Sequence, residues 1–258
     1  MNSSKITEAA QLLLNATESA TERDRISSQF PDFTLQDAYK VQREGMKLRE
    51  AKGAKWVGWK MGLTSEAKRK QMSLDAAIFG YLHDRGAISG QPISLKGLIH
   101  PKIEPEIGFR MKHELKGKVS FDEAVNAIET ICPAFEVIDS RYIGFKYFSL
   151  PDVVADNCSA SQYIWGEEVK NFRDLPIEKL KMTMLVNDEV AQEAHASEIS
   201  GHPIHSLMQL CELLNEEGLS VPAGCIVLAG AATPAVALEP NQKIELKIDR
   251  LTALKVHT

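Results

Sequence analysis

The sequence predicts an α+β fold, in which a helical N-terminal part precedes a sheet-rich body. Three observations predict it. Apolar side chains recur at helical spacing through the first fifty residues. From Trp56 onward, apolar and polar residues alternate in several runs. Cap signals mark where helices interrupt those runs. The expected boundaries are 1–54 for the helical part and 55–258 for the body, the two acting as one functional unit.

Taken in order, residues 1–20 read as an amphipathic helix broken by Glu8 and Asn15. A second helix opens at the cap-like pair Thr34 and Asp37. It continues through Leu35, Ala38, Val41, Gly45 and Leu48, and Gly53 stops it. Trp56 begins a strand with Val57, Trp59 and Met61 on one face and Gly58, Lys60 and Gly62 on the other. A short helix is expected after Ser65. Residues 76–100, rich in Gly, Pro and Ser, read as loop with short extended pieces. HPKIEPEIGF reads as a strand. Ser120 and Glu123 form a capping box that opens a helix to about Cys132, and PAFEVIDSRY follows as a strand. Ser149 and Asp152 start another capped helix. Leu180, Met182, Met184 and Val186 alternate into a turn at Asn187–Asp188, which predicts a hairpin. Residues 203–218 form a helix with Leu207, Leu210, Leu213 and Leu214 inward. The terminal strands carry Ile244, Leu246 and Ile248 on one face.

Bulk properties exclude several classes. Hydrophobic residues make up 44% and charged residues 25%, a balance that buries a core and argues against disorder. The net charge of −5 leaves no electrostatic footprint for nucleic acid or an anionic membrane. The short basic cluster at 68–70 reads as a solvated helix face. None of Cys132, Cys158, Cys211 and Cys225 forms a C-x-x-C pair, so buried reduced thiols in a cytoplasmic protein are expected. The N-terminus lacks a secretory apolar region, and no apolar run is long enough to span a bilayer.

The chemistry concentrates in three acidic residues. Glu104 and Glu106 share one face of an otherwise apolar strand, with Ile103, Pro105 and Ile107 on the other. Two adjacent carboxylates repel and lose solvation there, and a divalent cation relieves both penalties. Glu136, among Ala134, Phe135, Val137 and Ile138, is placed to supply a third oxygen. An all-carboxylate set suits Mg²⁺ or Mn²⁺ rather than Zn²⁺. The competing reading is a solvated edge strand with ordinary surface glutamates. Lys60, between two glycines, points over small residues toward a cavity, or else is a snorkelling surface lysine. Asp139 and Arg141 are expected to form a structural ion pair. His202 and His205 flank a helix start as capping or surface residues.

VGWKMGLTS, HPKIEPEIGF, PAFEVIDSRY and DVVADNCSASQYIWG resemble the 2-oxo-3-hexenedioate (4-oxalocrotonate) decarboxylases and their sister 2-hydroxypentadienoate hydratases. Both belong to the fumarylacetoacetase-like superfamily, and the resemblance runs from about Leu35 to Val256. It implies a mixed β-sheet roll. It also implies a metal-dependent lyase of meta-cleavage aromatic degradation that converts 2-oxo-3-hexenedioate to 2-hydroxy-2,4-pentadienoate and CO₂. Glu104, Glu106 and Glu136 would then hold Mg²⁺, with Mn²⁺ as the alternative ion, and no organic cofactor is needed. Lys60 would hold the substrate carboxylate or stabilise the enolate, and would supply a proton if burial lowers its pKa. Ser161 is placed to bond a substrate carboxylate, or to cap the preceding helix. Thr233, in the loop Gly230–Pro234, is placed to receive the same anion, unless that loop is a plain turn.

The sisters differ at one position. Hydratases of the family carry an Asp where this chain has Ile78, and an alkyl side chain moves no proton. Ala77 and Phe135 also depart from the common pattern, but neither removes a ligand. Three alternatives remain: the hydratase on the same metal site, an acylpyruvate-type hydrolase, and a non-catalytic scaffold for the hydratase. The hydrolase needs a His–Glu dyad that the N-terminal half does not show. A scaffold would have shed a metal ligand. The resemblance further implies a homo-oligomer that acts on a small 2-oxo dicarboxylic acid and associates with the hydratase.

Overall fold

The computed structural model describes residues 1–65, 77–88, 90–145 and 149–258. The helix expected after Ser65 and the basic cluster at 68–70 lie outside them.

Helix α1 (Ser3–Ser19) is capped by Asn2, whose side chain accepts from the Lys5 N–H. A short α2 (Ile26–Gln29) leads to α3 (Leu35–Ala51), which opens with the full Thr34/Asp37 capping box. The N-terminal ammonium adds a 2.7 Å contact to Asp37, tying α1 to the start of α3. Helix α3 also carries the buried Gln42, whose amide donates to the Phe79 and Val154 carbonyls at 2.8 and 3.1 Å. Those bonds lock the helical part to the sheet below.

The main sheet contains β1 (Trp56–Gly62), β2 (Ile78–His83), β3 (Ala87–Ile88), β4 (Lys102–Met111), β5 (Ile128–Ile138), β6 (Ala160–Trp165), β9 (Ile226–Leu228) and β10 (Val236–Ala237). Its order is β2-β1-β9-β4-β5-β6-β3, with β10 pairing β4. The β1–β9 and β3–β6 pairs are parallel and the others antiparallel, so the sheet is mixed. A second sheet holds β7 (Lys181–Val186), β8 (Glu189–His195), β11 (Lys243–Ile248) and β12 (Leu254–His257), in the order β12-β11-β7-β8. The β7–β8 hairpin turns at Asn187 and Asp188. Both have positive φ, as a tight two-residue hairpin loop demands.

One face of the main sheet buries Trp59, Phe79, Ile103, Ile107, Phe109 and Phe135. These join a single core that runs from Ile6 in α1 to Val256 in β12. The other face carries Lys60, Glu104, Glu106 and Glu136 toward one end. Leu82, Ala134, Tyr163, Ile226 and Leu228 make a small apolar cluster toward the other. Three further helices complete the described elements: α4 (Phe121–Ala127), α5 (Leu150–Ala155) and α6 (Pro203–Glu216). No helix among the described residues is long and apolar enough to cross a membrane.

The α+β class and the helical N-terminal part agree with the sequence reading, and three local expectations are corrected. The helix opened by Ser120 stops at Ala127, and β5 begins at Ile128. The β-branched Ile128, Thr130 and Ile131 fit a buried ladder with β4 better than a fourth helical turn. Within 76–100, residues 78–83 form a full strand, because Phe79 and Tyr81 stack into the Trp59 cluster. Arg141 pairs with the buried Asp156, not with Asp139. The Asp139 carboxylate instead accepts the Ile99 and His100 N–H groups.

Candidate metal centre

Strands β4 and β5 are antiparallel and set Glu104 directly opposite Glu136, with Glu106 opposite Ala134. Residues paired across a ladder project to the same face, as do i and i+2 along a strand. The three carboxylates therefore converge, and one oxygen from each lies within 4.8 Å of the others. Glu106 and Glu136 are fully buried and Glu104 is half-buried.

Strand β1 brings Lys60 to the same place. Its ammonium lies 2.8 Å from Glu136 Oε2 and donates to the Cys158 carbonyl at 3.3 Å. On the other side, the Gly230 N–H donates to Glu106 Oε2 at 2.7 Å. Only glycine serves there. Its φ is +104°, and a Cβ would collide with the Thr64 side chain. Glu106 Oε1 and Glu136 Oε1 accept no hydrogen bond, although both atoms are buried.

Burial pushes the Glu136 carboxyl up to about 7 against the pull of Lys60, with Glu104 adding to the rise. Burial likewise raises Glu106 well above the carboxylate range, reinforced by Glu136. For Lys60, burial favours the neutral amine, but Glu136 and the other two carboxylates outweigh it and hold the pKa above its ordinary value. With the three carboxylates around it, Lys60 is held in its cationic form. Among the described residues, one lysine faces three carboxylates, two of which carry unsatisfied buried oxygens. That donor set, all oxygen and anionic, fits a hard divalent ion such as Mg²⁺ or Mn²⁺.

A cavity opens beside Lys60 and Glu104. Its lining includes Met61, Leu63, Ile78, Ile138 and Val153, together with Thr64, Ser159 and Ala231. Ile78 stands in that wall, at the position singled out in the sequence. Thr233 is buried in the loop whose Gly230 and Ala231 reach the site, and its hydroxyl donates to the Pro234 carbonyl at 3.3 Å. Ser161 is not brought to this cavity. It is the extra residue of a bulge in β6, where Gln162 pairs with Val137 and Ala160 with Ile138, and it lines a separate depression near α1 and α3.

Periodicity gave no warning of one feature. Asn157, Cys158 and Ser159 have φ of 51°, 52° and 59°, three consecutive non-glycine residues in the left-handed region. The Asn157 side chain staples this turn to β2, accepting from the Tyr81 N–H at 2.8 Å and donating to the Tyr81 carbonyl at 2.9 Å. Gly80 leaves room for it, since a Cβ there would lie 3.0 Å from the Asn157 carbonyl and 3.1 Å from the Lys60 stem. The turn presents the Cys158 carbonyl to Lys60 and Ser159 to the cavity. The Asp-Asn dipeptide after a short helix was the only local turn signal.

The fold and site together define a class. A family model described as "Fumarylacetoacetate (FAA) hydrolase C-terminal" matches residues 60–257, and the chain belongs to that family. Within it, the chain is 37% identical to a 4-oxalocrotonate decarboxylase from Pseudomonas putida, over 97% of this chain and 96% of that one. It is 31% identical to a 2-hydroxyhexa-2,4-dienoate hydratase from Comamonas testosteroni, over 93% and 92%. The solved structure of 4-oxalocrotonate decarboxylase from Pseudomonas putida G7, complexed with magnesium and adipate, superposes with a TM-score of 0.96. The two share 35% identity, covering 100% of this chain and 98% of that one.

Two outcomes are expected. Because the folded pKa of Glu136 is raised from 4.5 to about 7, its contribution to stability in chelator is complete below about pH 4.5 and is lost as pH rises through 7. Mg²⁺ binds the ionised form, so the gain in melting temperature on adding Mg²⁺ should widen between pH 5.5 and 8. A constant gain across that range would contradict the site. Replacing Asn157 by Ala should lower kcat about 10- to 100-fold while leaving Mg²⁺ affinity nearly unchanged, because the turn holds Lys60 rather than the carboxylates.

Proposed function

We propose that the chain is a Mg²⁺-dependent decarboxylase that converts 2-oxo-3-hexenedioate to 2-hydroxy-2,4-pentadienoate and CO₂. The observation that carries this reading is the three-carboxylate and lysine cluster beside a cavity that Lys60 and Glu104 line together with Ile78, Ile138 and Val153. The relative that matches at a TM-score of 0.96 is complexed with adipate, a dicarboxylate of the same carbon count as 2-oxo-3-hexenedioate. Glu104, Glu106 and Glu136 are the residues that would hold the ion.

The reaction sets a plain demand. The C5–C6 bond breaks, and its electron pair becomes the C4=C5 bond. The former C3=C4 pair moves to C2=C3, and the C2 oxygen gains the negative charge. One proton then completes the dienol. Mg²⁺, when bound, supplies Lewis acidity for that developing charge. The protein's own part is to orient, to exclude water and to add fixed charge. Lys60 places a buried ammonium that needs no reorganisation as negative charge develops. Such a preorganised contact is worth about 3 kcal/mol of barrier. The Ile78, Ile138 and Val153 side chains offer a leaving carboxylate no hydrogen bond, so neutral CO₂ fits that wall better than the anion it comes from. Ser159 and the Gly230–Pro234 loop, with Thr233 behind it, offer polar contacts for the other carboxylate.

The hydratase reading needs a proton-moving group where Ile78 stands, so the same wall disfavours it. The dienol product is short-lived, and a hydratase that consumes it is the partner we propose for this chain, beside a second copy of the chain itself.

The test is an assay on metal-stripped protein given 2-oxo-3-hexenedioate and, separately, 2-hydroxypentadienoate, with Mg²⁺ added back. CO₂ release that needs Mg²⁺ and falls at least about 10³-fold in Glu106→Gln is the expected result. Water addition to the dienoate without CO₂ release would establish the hydratase instead. No turnover of either compound would leave the scaffold.

A further inference from the structure

The depression that takes up Ser161 has its own chemistry. It lies between α1, the C-terminal end of α3 and the bulged start of β6, with a volume of about 250 Å³. Its walls bring together Arg49, Lys52, Arg85 and Arg141, with His83 and Ser161 beside them.

The charges do not balance. Lys52 pairs with Glu18 at 2.5 Å, and Arg141 is fully engaged. Arg141 pairs with Asp156 and also donates to the Asp139 and Ala160 carbonyls. Arg49 and Arg85 are different. Their guanidiniums donate only to backbone carbonyls, those of Gly45 and Lys52, and neither has an ion pair among the described residues. Two guanidiniums without an ion pair among the described residues therefore share a small pocket, with Glu18 and Asp156 as the opposing charges near Arg49. Burial, and then the neighbouring Arg141, lower the Arg49 guanidinium to about 10. The strain has the opposite sign to that at the glutamates, and an anion would relieve it as a cation would relieve theirs.

Unused polar groups point the same way. His83 Nδ1 is buried without a partner, and burial together with Arg49 keeps the ring neutral by lowering it to about 4. The Ser161 hydroxyl, turned here by the bulge, makes no hydrogen bond to the described residues. Guanidinium groups bind planar and tetrahedral oxyanions through paired N–H donors, and a hydroxyl and a ring N–H extend that set.

We propose that this pocket is a binding site for a small oxyanion, a phosphate or a carboxylate, held by Arg49 and Arg85 with Ser161 and His83 as hydrogen-bonding partners. The site is separate from the carboxylate cluster and does not depend on the activity proposed above. A carboxylate ligand and inorganic phosphate share this chemistry, so both serve as probes.

The experiment follows the imidazole resonances of the Mg²⁺-loaded full chain by ¹H–¹⁵N NMR. Inorganic phosphate is titrated in one series and succinate in another. A saturable shift of the His83 signal is expected, with the tighter of the two anions naming the source. The midpoint should rise about tenfold or more in Arg49→Gln and in Arg85→Gln. Arg85 is exposed, so its variant tests the site even if Arg49→Gln fails to fold. No saturable shift with either anion would overturn the proposal, as would equal midpoints in wild type and Arg85→Gln. It would also fall if the His83 signal followed protein concentration and not anion, which would mean that a carboxylate of a second copy fills the pocket.

Discussion

Repulsion among three carboxylates in a dry setting is the constraint on which the rest of this structure depends. With ligand oxygens within 4.8 Å of one another, full ionisation of all three is unfavourable, and the raised Glu106 and Glu136 carboxyls express that cost. Proton uptake and Lys60 relieve part of that cost, and the backbone fixes the arrangement. The ten-residue β4 and eleven-residue β5 form an unbroken ladder around Glu104 and Glu136, and the apolar backs of the same strands are anchored in the core. The register cannot slip by one residue without sending Ile103 and Ile107 to the polar face and the glutamates into the core. Polar chemistry on one face is thus held in place by hydrophobic burial on the other.

The remaining elements answer to that cluster. Lys60 supplies one positive charge, and its position is fixed twice, by β1 on one side and by the left-handed turn at Asn157–Ser159 on the other. That turn is held by Asn157 to β2, while Gln42 ties the Phe79 carbonyl and α5 to α3. The helical N-terminal part therefore does more than cover the sheet, because its buried amide braces the segment that faces the lysine. Gly80 and Gly230 matter for the same reason, each letting backbone approach a charged side chain where a Cβ would intrude.

Much of this was legible in the sequence where one local rule decides. The strand period placed Glu104 with Glu106 and Lys60 with Gly58 and Gly62, and the capping boxes at Thr34 and Ser120 marked true helix starts. Glu136 stood out by its apolar setting, but its convergence on the other two is a matter of register between strands, a tertiary property. What the sequence concealed depended on distant partners. The helix after Ser120 gave way at Ile128 because a neighbouring strand was available. Arg141 found Asp156 and not the Asp139 carboxylate, because the chain leaves β5 at Ile138 and the Ile99 and His100 N–H groups take that carboxylate. Ser161 left the expected cavity through a single-residue bulge, which no alternation pattern announces. Gly230 was marked only as part of a small-residue loop, and its N–H proved to serve Glu106.

The central claim is that Glu104, Glu106 and Glu136 together bind one divalent ion. Anomalous diffraction from crystals soaked in Mn²⁺ tests it most directly. The account predicts a single strong peak within about 2.0–2.3 Å of an oxygen from each of the three glutamates. A peak elsewhere, or none with Glu136 still held only by Lys60, would contradict it.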